Sequence, residues 1–557
     1  MLLVEFEHQI SFETSSSVRA LLRRLRQARI SGVVEYLPSY CSLGVIYDPT
    51  TVKVERLQDE LELQALHTDS GECLPRSRQF EIPVLYGSEW GPDLNSVAKY
   101  HGIEPEAVVK LHSSAEYCVH LIGFTPGFPY LGGLPKKIAT PRLDRPRALV
   151  PAGSVAIADQ QAGIYPVQSP GGWRILGRTP IRLFDVDSER PCLLQIGDSV
   201  RFRAVSQTEF DRLSASQNEA SSIAKSSRKA DLGDSPCSAK KAPVLRVIQP
   251  GLLSTLQDMG RRGYQSFGVS PGGAMDTLSL RLANLLLENE TSSLSLEITL
   301  SGLELEALSS CQVAIAGADL SATVRGVRVP MGQGLELRSG DRLSFSKRVR
   351  GARAYLAIRG GFCGESVLGS ESTDLRQGWG GMEGRALKKG DYLFRKLRDS
   401  SFGVPSRALG IGPAVMRHYA DPFTLRVVEG PQWNYLSGIV AKRFFESEFQ
   451  IRSSSNRMAY TLAGPSISTV RKELVSEPLS MGSLQVFPNG ELALAMADHQ
   501  TIGGYPKIAV VISADFPKAA QLMPGHRIRF VTVSLKDAHR ALLDQEGDLL
   551  HSIFDIR

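Results

Sequence analysis

A chain of 557 residues is longer than one hydrophobic core supports, and its 42% hydrophobic and 22% charged residues are ordinary for a globular protein of several domains. The net charge of only +6, with no folded basic face interleaved with aromatics, argues against nucleic acid as a partner. No apolar run of about 18 residues predicts a membrane span and the N-terminus lacks the pattern of a signal peptide, so we expect a cytoplasmic protein with no membrane contact.

Residues 1–80 predict the order strand, helix, strand, strand, helix, strand. The strands are expected at Leu2–Phe6, Val33–Leu37 and Cys41–Tyr47, with a fourth entering at Phe80–Leu85. Apolar residues recur at helical spacing between them, first behind Ser15–Ser17 as a cap and then from Val54 to Leu61. This order is that of a ferredoxin-like domain, which could also be pure scaffold.

The sequence pattern of residues 81–205 differs from that of residues 1–80. Two short helices, Asp93–His101 and Pro105–His112, precede many short strands broken by glycine and proline, and this predicts an all-β barrel. From residue 206 to residue 243 the sequence loses its apolar periodicity, and the core of this stretch, residues 213–243, has no aromatics, so it cannot bury enough surface to offset chain entropy. We therefore predict a disordered linker over 206–243.

The second half predicts two further β-barrel subdomains, over residues 244–400 and 410–545. One clear helix is expected from Asp276, its cap, to about Leu287, and a short amphipathic helix near Leu535–Leu543. The predicted fold class is therefore mainly β with α+β.

The densest candidate site is the segment Gly123–Pro135, where seven of 13 residues are glycine or proline. Such a loop is rigid and can present backbone N–H groups to a ligand. His120 lies just upstream, on the strand face that it shares with Phe124, and is a candidate catalyst or a packed structural residue. The candidate binding residues of this loop are Pro126, Gly127, Phe128 and Tyr130.

Two further loops follow within 50 residues, Val150–Ser154 and Tyr165–Trp173. The run after Gln168 could form a nest of backbone amides that binds phosphate or carboxylate. Alternatively, both loops are ordinary barrel corners. If they line a pocket, the binding residues are Gly153, Ser154, Gln168, Pro170, Gly171 and Gly172.

The second half of the sequence also contains candidate site residues, in two segments. Gln257, Asp258 and Arg261 place an amide, an acid and a guanidinium on one turn, and arginine suits bidentate binding of carboxylate or phosphate. Asp498 follows an apolar strand and could act as a general base beside His499 and Gln500, unless the segment is a capped hairpin. The remaining binding candidates of this segment are Thr501, Gly503, Gly504 and Tyr505.

Standard nucleotide and metal motifs are not found. The chain has no G-x-x-x-x-G-K-[ST], no Rossmann G-x-G-x-x-G and no H-E-x-x-H. It also has no C-x-x-C pair, so we expect no metal site. Any nucleotide would need an atypical site.

Several long motifs resemble one bacterial superfamily. Residues 1–205 resemble the B subunit of ATP-dependent 5-oxoprolinase, and residues 244–535 resemble its C subunit. The first resemblance rests on GFTPGFPYLGGLP (123–135), VPAGSVAIA (150–158) and YPVQSPGGWRILGRTP (165–180). The second rests on QPGLLSTLQDMGRRG (249–263), GGAMDTLSLRLAN (272–284), LAIRGG (356–361), LGSESTD (368–374), SLQV (483–486) and DHQTIGGYP (498–506).

The resemblance implies cyclophilin-like barrels and a component that acts with a separate A subunit to open the lactam of 5-oxoproline to glutamate. It implies ATP with Mg²⁺ as cofactor, a small lactam or amide as substrate, no biotin attached to this chain, and allows a homo-oligomer. Two departures from the family pattern stand out: Asn456-Arg457-Met458-Ala459 replaces Asp-Arg-Met-Gly, and Pro478 follows Glu477 where glycine is usual. Arg457 is retained and joins the candidate binding residues.

The superfamily leaves two other functions open. One is a biotin-dependent carboxyltransferase of urea or amide type, for which biotin and its carboxylase would come from partners because this sequence has no A-M-K-M-like segment. The other is a regulator that binds a histidine kinase. The fusion of both halves counts against the regulator, since an inhibitor joined permanently to its antagonist could not switch.

Overall fold

The computed structural model describes residues 1–6, 11–66, 77–217, 219, 241–396, 409–471 and 474–555. Its architecture is mainly β and contains two closed seven-stranded barrels, one in each half of the chain. No helix within these ranges is both long and apolar enough to cross a bilayer.

The N-terminal unit is a three-stranded antiparallel sheet covered by two helices. Its sheet order is β1-β3-β2, and its core joins leucines of both helices to Leu43 and Val45. The first helix begins earlier than expected, because Ser11 caps it by accepting from the Thr14 N–H. The elements are β1 (Leu2–Glu5), α1 (Phe12–Ala28), β2 (Val33–Pro38), β3 (Ser42–Tyr47) and α2 (Val54–Leu66).

The strand expected to complete this sheet at Phe80–Leu85 lies elsewhere. It is β4 (Gln79–Tyr86), which pairs with two strands of the first barrel and buries Ile82 and Val84 in the barrel core. The ferredoxin-like order therefore ends after five elements. The alternation of β4 specifies a half-buried strand but does not say which sheet receives it.

The first barrel closes in the order β11-β4-β12-β5-β6-β9-β8. Two helices cover it, and the first ends at Gly102, which is left-handed as its sequence predicts. Beside the barrel, β7 pairs with β10. The elements are α3 (Leu94–His101), α4 (Pro105–Ser114), β5 (Glu116–Ile122), β6 (Pro129–Gly132), β7 (Arg147–Val150), β8 (Ser154–Ala158), β9 (Gln161–Ile164), β10 (Ser169–Gly171), β11 (Arg174–Arg178) and β12 (Ser199–Ala204).

The predicted linker is shorter than 206–243 at both ends. Residues 207–217 form a helix, α5, whose Phe210 is buried against Trp90 with ring centroids 5.3 Å apart. Strand β13 (Lys241–Pro250) includes the last residues of the predicted stretch. Single apolar residues such as Phe210 carry no periodicity, yet they suffice to dock a short segment. Residues 218 and 220–240 lie outside the described residues.

The region 244–400, predicted as a barrel, is two packed open sheets. One has the order β19-β18-β21-β16-β13-β24-β23 and the other β14-β15-β22-β17-β20, and their facing side chains form one core. Short strands predict both forms, and only long-range pairing decides between them. Beyond β13 the elements are β14 (Leu253–Gln257), α6 (Thr277–Leu285), β15 (Ser295–Thr299), β16 (Leu303–Ala307), β17 (Cys311–Asp319), β18 (Ala322–Val324), β19 (Val327–Arg328), β20 (Gly334–Leu337), β21 (Arg342–Phe345), β22 (Arg350–Ile358), β23 (Phe362–Cys363) and β24 (Tyr392–Lys396).

The last region contains the second barrel, in the order β26-β33-β30-β31-β28-β27-β34. Its C-terminal helix runs to Leu550, seven residues beyond the predicted end. The elements are β25 (Leu409–Ile411), α7 (Pro413–Met416), β26 (Thr424–Glu429), α8 (Gly438–Glu446), β27 (Phe449–Ile451), β28 (Ala459–Ala463), β29 (Glu477–Pro478), β30 (Ser483–Val486), β31 (Leu492–Ala495), β32 (Ile502–Gly503), β33 (Lys507–Val511), α9 (Phe516–Ala520), β34 (Arg527–Thr532), α10 (Leu535–Leu550) and β35 (Ile553–Asp555).

The two halves pack against each other within one chain. Val269 is fully buried in the core of the first barrel, and Ile502 lies in an aromatic cluster of the first half. The Gly127 N–H donates to the Phe267 carbonyl at 2.8 Å. The Glu35 carboxylate accepts from the Ser266 N–H at 3.0 Å. Apolar burial and backbone hydrogen bonds thus hold the second half in a fixed position on the first.

Candidate functional site

A cavity of about 690 Å³ lies between the two halves. The first half contributes Phe124 and Pro170, and the second half contributes the polar groups and most of the apolar wall. This volume is typical of pockets for small molecules. The charged and amide side chains on its surface are those of Arg353, Arg376, Asn456, Arg457, Asp498 and Gln500.

Asp498 reaches the cavity from the turn after β31, where its N–H donates to the Arg457 carbonyl at 2.9 Å. The Arg457 guanidinium binds its carboxylate through two hydrogen bonds, Nε to Oδ2 at 2.9 Å and Nη2 to Oδ1 at 3.0 Å. This bidentate pair fixes the orientation of the carboxylate. Asp498 can therefore accept hydrogen bonds from a ligand in the cavity.

Arg457 is also hydrogen-bonded on the side away from the cavity. Its Nη1 donates to Glu297 at 2.5 Å, and its Nη2 donates to the Gly273 carbonyl at 2.5 Å. Burial disfavours the charge, but Asp498 and Glu297 outweigh it and raise the pKa of Arg457 above its ordinary value. Arg457 therefore stays charged and rigid between two carboxylates.

Glu297 anchors this network in the core. It accepts from the Tyr355 hydroxyl at 2.6 Å and from the Met275 N–H at 3.0 Å, while Arg353 lies 3.8 Å away. Burial acts to raise the pKa of Glu297, yet the guanidiniums of Arg457 and Arg353 lower it on balance. The buried ion pairs hold the polar side of the cavity in place.

Arg376 presents a guanidinium without an acidic partner. It follows a turn in which Asp374 Oδ1 accepts from the N–H groups of Arg376 and Gln377, both at 3.0 Å. Its side chain is exposed to the cavity, and its Nη1 contacts the sulfur of Met458 at 3.6 Å. Within the described ranges no carboxylate lies at ion-pairing distance from Arg376, so the group can bind an anionic ligand.

Phe124 reaches the cavity through an unusual backbone conformation. Its φ is 68°, in the left-handed region that residues with a side chain rarely adopt. Hydrogen bonds on either side of it, from the Thr125 N–H to the Gly123 carbonyl and from the Gly123 N–H to the Phe128 carbonyl, hold the turn. Such strain persists where the surroundings impose it, often at ligand sites.

The other predicted residues of this loop are buried framework. Pro126, Gly127, Phe128 and Tyr130 do not line the cavity. Gly127 has φ 77°, and a Cβ there would lie 2.7 Å from the Cβ of Phe184, so only glycine fits. The rings of Phe128 and Tyr130 contact each other at 4.9 Å between centroids. The loop is closely packed, but it supports the barrel and places only Phe124 on the cavity.

Of the two neighbouring loops, only Pro170 lines the cavity. Ser154 donates to the Pro151 carbonyl at 2.8 Å, and a Cβ at Gly171 would overlap the Tyr165 ring. Gln168 is exposed elsewhere. Gly153 and Gly172 lie in turns away from the cavity lining. The structure does not bring the predicted amide nest to this cavity.

His120 is buried on strand β5 and does not line the cavity. Its ring packs 5.3 Å from the Tyr40 ring, and a Cβ at Gly132 would overlap the imidazole. Burial, assisted by nearby Arg19, lowers the pKa of His120 to about 4. A neutral, enclosed imidazole suits packing better than catalysis.

Gln257, Asp258 and Arg261 form a brace behind the cavity. Asp258 accepts from the Ser370 hydroxyl at 2.7 Å and from the Gly260 N–H at 2.8 Å. Arg261 is 1% exposed and donates to two backbone carbonyls. Gln257 is fully buried and donates to the Thr373 carbonyl at 3.2 Å. These side chains hold the segment that carries Arg376 rather than touching a ligand.

In the segment after Asp498, only Gln500 also lines the cavity. His499 is buried, its Nδ1 lies 2.7 Å from the Gln500 carbonyl, and burial lowers its pKa. Thr501 is buried, and the ring of Tyr505 packs against Phe487. The two glycines Gly503 and Gly504 lie beside Gln485 and Leu474.

The two departures from the family pattern have structural roles here. Asn456 Oδ1 accepts from the Met458 N–H at 2.8 Å, a turn that an aspartate could form equally. The Pro478 carbonyl accepts from Lys507 Nζ at 2.9 Å, and Glu477 pairs with the same amine at 2.6 Å.

Sequence reasoning missed Arg376, Arg353 and the Glu297 anchor. Arg376 lies two residues beyond the motif LGSESTD, so extending that motif would have found it. Glu297 sits in an apolar strand, where a single acid gives no sign of its distant partners.

Comparison with known proteins divides the chain in two. Residues 1–194 match the family described as carboxyltransferase domain, subdomain C and D, and residues 267–532 match carboxyltransferase domain, subdomain A and B. The chain is 38% identical over 218 residues to the B subunit of 5-oxoprolinase from Bacillus subtilis, which is 38% of this chain and 91% of that protein. It is 38% identical over 306 residues to the C subunit of 5-oxoprolinase from Escherichia coli K12, which is 54% of this chain and 96% of that protein.

A solved structure resembles both halves together. The crystal structure of the protein TTHA0988 superposes with a TM-score of 0.76 at 32% identity, covering 95% of this chain and 99% of that one. The arrangement of the two halves is thus similar in another single chain.

Proposed function

The chain belongs to the carboxyltransferase-domain family, as a fusion of one part related to the B subunit of 5-oxoprolinase with another related to the C subunit, and we propose that it is a component of an ATP-dependent 5-oxoprolinase. With a separate A-type subunit, it would open the lactam of 5-oxoproline to glutamate. The cavity between the halves is the proposed substrate site.

One observation carries this assignment: a guanidinium without an acidic partner, Arg376, shares a small cavity with the carboxylate of Asp498 and the amide of Gln500. A ligand with a carboxylate and a cyclic amide matches these groups. Arg376 would pair with the carboxylate, and Asp498 would accept the lactam N–H. Phe124 and Pro170 would cover the apolar face of the ring.

Asp498 has a role that follows from its pairing with Arg457. An amide is a poor electrophile because of its C–N resonance. A fixed anion that accepts the lactam N–H increases the electron density on the carbonyl oxygen. ATP with Mg²⁺, when bound, would supply a phosphoryl group to that oxygen, and the carbonyl carbon would then be susceptible to attack by water. The chain's own residues orient the ring and keep the N–H polarised throughout.

The test is direct turnover by the purified chain. It is incubated with 5-oxoproline, ATP and Mg²⁺, with and without the candidate A-type subunit, and both glutamate and ADP are measured. We expect both products in equal amounts when the two proteins are together. If neither product forms with the partner present, the proposal is wrong.

A second candidate is a biotin-dependent carboxyltransferase acting on urea or another amide. It is favoured by the family description, which names carboxyltransferase subdomains in both halves. In this case biotin and its carboxylase would come from partner proteins. Consumption of N-carboxybiotin with an amide acceptor, together with no glutamate from 5-oxoproline, would favour this candidate over the first.

A further inference from the structure

A second and larger cavity, of about 900 Å³, lies beneath helix α1, and its lining is rich in arginine. Three elements meet there: one face of α1, the turn before β12, and the short 3₁₀ turn Gln265–Phe267 of the second half. Both halves of the chain thus build its walls. Its charged side chains are Arg19, Arg23, Arg26, Arg29, Arg78 and Asp198.

The arginines of α1 share one helix face. Arg19, Arg23 and Arg26 follow the spacing i, i+4, i+7, which places them in a row along the cavity. Arg29 ends the same helix in the left-handed conformation. The opposite face of α1 carries Leu21 and Leu25 and packs on the N-terminal sheet. The helix is thus anchored on its apolar side, and its basic side faces the cavity.

Among the described residues, these charges are not balanced by acids. Asp198 is the one carboxylate that the described part of the lining contains, and Arg78 binds it through Nε at 3.0 Å and Nη2 at 2.5 Å. Glu35, which interacts electrostatically with Arg26, accepts hydrogen bonds from the N–H groups of Ser266 and Gly263. In the part of the chain that the structure describes, none of the four α1 arginines, at positions 19, 23, 26 and 29, has a carboxylate within ion-pairing distance.

Arg19 is also fitted into the wall. A Cβ at Gly197 would lie 2.5 Å from Arg19 Nη1, so the glycine makes room for the guanidinium. Arg19 donates to Ser16 at 3.0 Å, and its buried Nε has no hydrogen-bond partner within the described residues. A buried donor without a partner costs free energy, which a bound acceptor would recover.

We propose that this cavity binds the polyphosphate of a nucleoside triphosphate. The inference rests on the proposed function, which requires ATP, and adds where ATP binds. Guanidinium groups bind phosphate oxygens in bidentate fashion, and several like charges around one cavity favour a multiply charged anion. The apolar part of the lining, with Leu22, Ile122 and Phe267, can pack against the base.

The position of the cavity supports this assignment. Ile122 lines the arginine cavity, and Phe124 lines the cavity between the halves, so only Gly123 separates the two along the chain. A phosphate held by the α1 arginines would therefore lie next to the loop that bounds the substrate site. The arrangement also agrees with the lack of a standard phosphate-binding loop in the sequence.

The test is calorimetric titration of the full chain with MgATP and with inorganic tripolyphosphate. The variant R23Q/R26Q removes two exposed guanidiniums from the cavity. The matched control K53Q/R56Q removes two exposed charges at the same spacing, before and within α2. We expect the cavity variant to weaken the binding of both ligands at least about tenfold, as for the loss of charge-assisted hydrogen bonds. The control should stay within about twofold, since distant surface charges are screened.

Several outcomes would overturn the proposal. These are no binding of either ligand, equal binding by wild type and R23Q/R26Q, or binding of tripolyphosphate without binding of MgATP. Circular dichroism checks that the variants are folded, and R23Q alone gives a second, milder variant with an intermediate loss expected. Turnover with the A-type subunit is measured in parallel, so that glutamate formation by a chain that binds no nucleotide would refute this site and leave the proposed function intact.

Discussion

The guanidinium of Arg457 grips both carboxylate oxygens of Asp498 and, on its other side, the carboxylate of the fully buried Glu297. One cation thus connects the polar wall of the cavity to the core of the two packed sheets. This arrangement fixes the position of Asp498 more firmly than its turn alone would. Substitutions of Asp498 and of Arg457 should therefore affect different quantities, turnover in the first case and stability in the second.

Asp498→Asn should lower kcat at least about tenfold while the protein stays folded, because the variant loses the anionic acceptor for the lactam N–H. Glutamate formation with saturating 5-oxoproline is the measurement. Asp544→Asn, at an exposed position of α10, makes the same chemical change away from both cavities and should leave kcat unaltered. Unchanged turnover in Asp498→Asn would remove Asp498 from the reaction.

Arg376→Gln should raise KM for 5-oxoproline at least about fivefold with little change in kcat, since a carboxylate that does not react is bound equally before and during the reaction. Initial rates across a range of substrate concentrations give both constants. The control is Arg443→Gln, an exposed arginine on α8. A fall in kcat at constant KM would contradict the assigned role.

Arg457→Met should cost roughly 3–5 kcal/mol of the free energy of unfolding, because it leaves Glu297 buried without its main partner. Urea denaturation measures this loss. Arg452→Met breaks an exposed pair with Glu491 and should cost less than about 1 kcal/mol. Equal losses in the two variants would show that the buried network does not stabilise the fold.

The buried imidazole of His120 should make stability depend on pH. Its pKa is about 4 in the folded chain against an ordinary value of 6.5, so the folded state binds fewer protons between these values. The contribution of His120 to the free energy of unfolding is therefore fully present above about pH 6.5. It falls by up to about 3 kcal/mol as the pH decreases toward about 4.

His120→Gln should flatten this decline without abolishing turnover. Part of the slope should remain, because burial also lowers the pKa of His112, to about 3. Urea midpoints measured at several pH values test the slope. A variant that is folded but inactive would restore His120 as a candidate catalyst.

The two halves should remain associated after the chain is cut between them. A protease site placed near Lys225, outside the described residues, allows the cut, and gel filtration shows whether the halves elute together. Val269→Asp should separate the cut halves, because it puts a charge into the core of the first barrel. Val327→Asp, 69% exposed, is the control. Separation of the cut wild type would mean that the covalent connection holds the halves together.

Local signals in the sequence predicted local structure well. Asp276 caps α6, as its position before an apolar stripe indicates, and its side chain accepts from the Ser279 N–H at 2.9 Å. The glycine and proline loops contain left-handed glycines such as Gly127 and Gly153. Their direction was not predictable, because whether Gly127 faces a ligand or Phe184 depends on strands far away in the chain.

Part of the candidate site could be predicted from local sequence motifs. Asp498, Gln500, Pro170 and Arg457 lie on the cavity, and each belongs to a motif that is dense in polar or turn residues. Arg376 lies in an ordinary polar loop. It is a candidate because no acid among the described residues pairs with it, and no sequence pattern shows that an ion-pair partner is missing.

The shared cavity has a consequence for how the site is assembled. Where two separate polypeptides must meet, the fraction of complete sites falls with dilution and depends on equal synthesis of both. Here Phe124 and Asp498 belong to one polypeptide, so their encounter is intramolecular and every finished chain carries one of each.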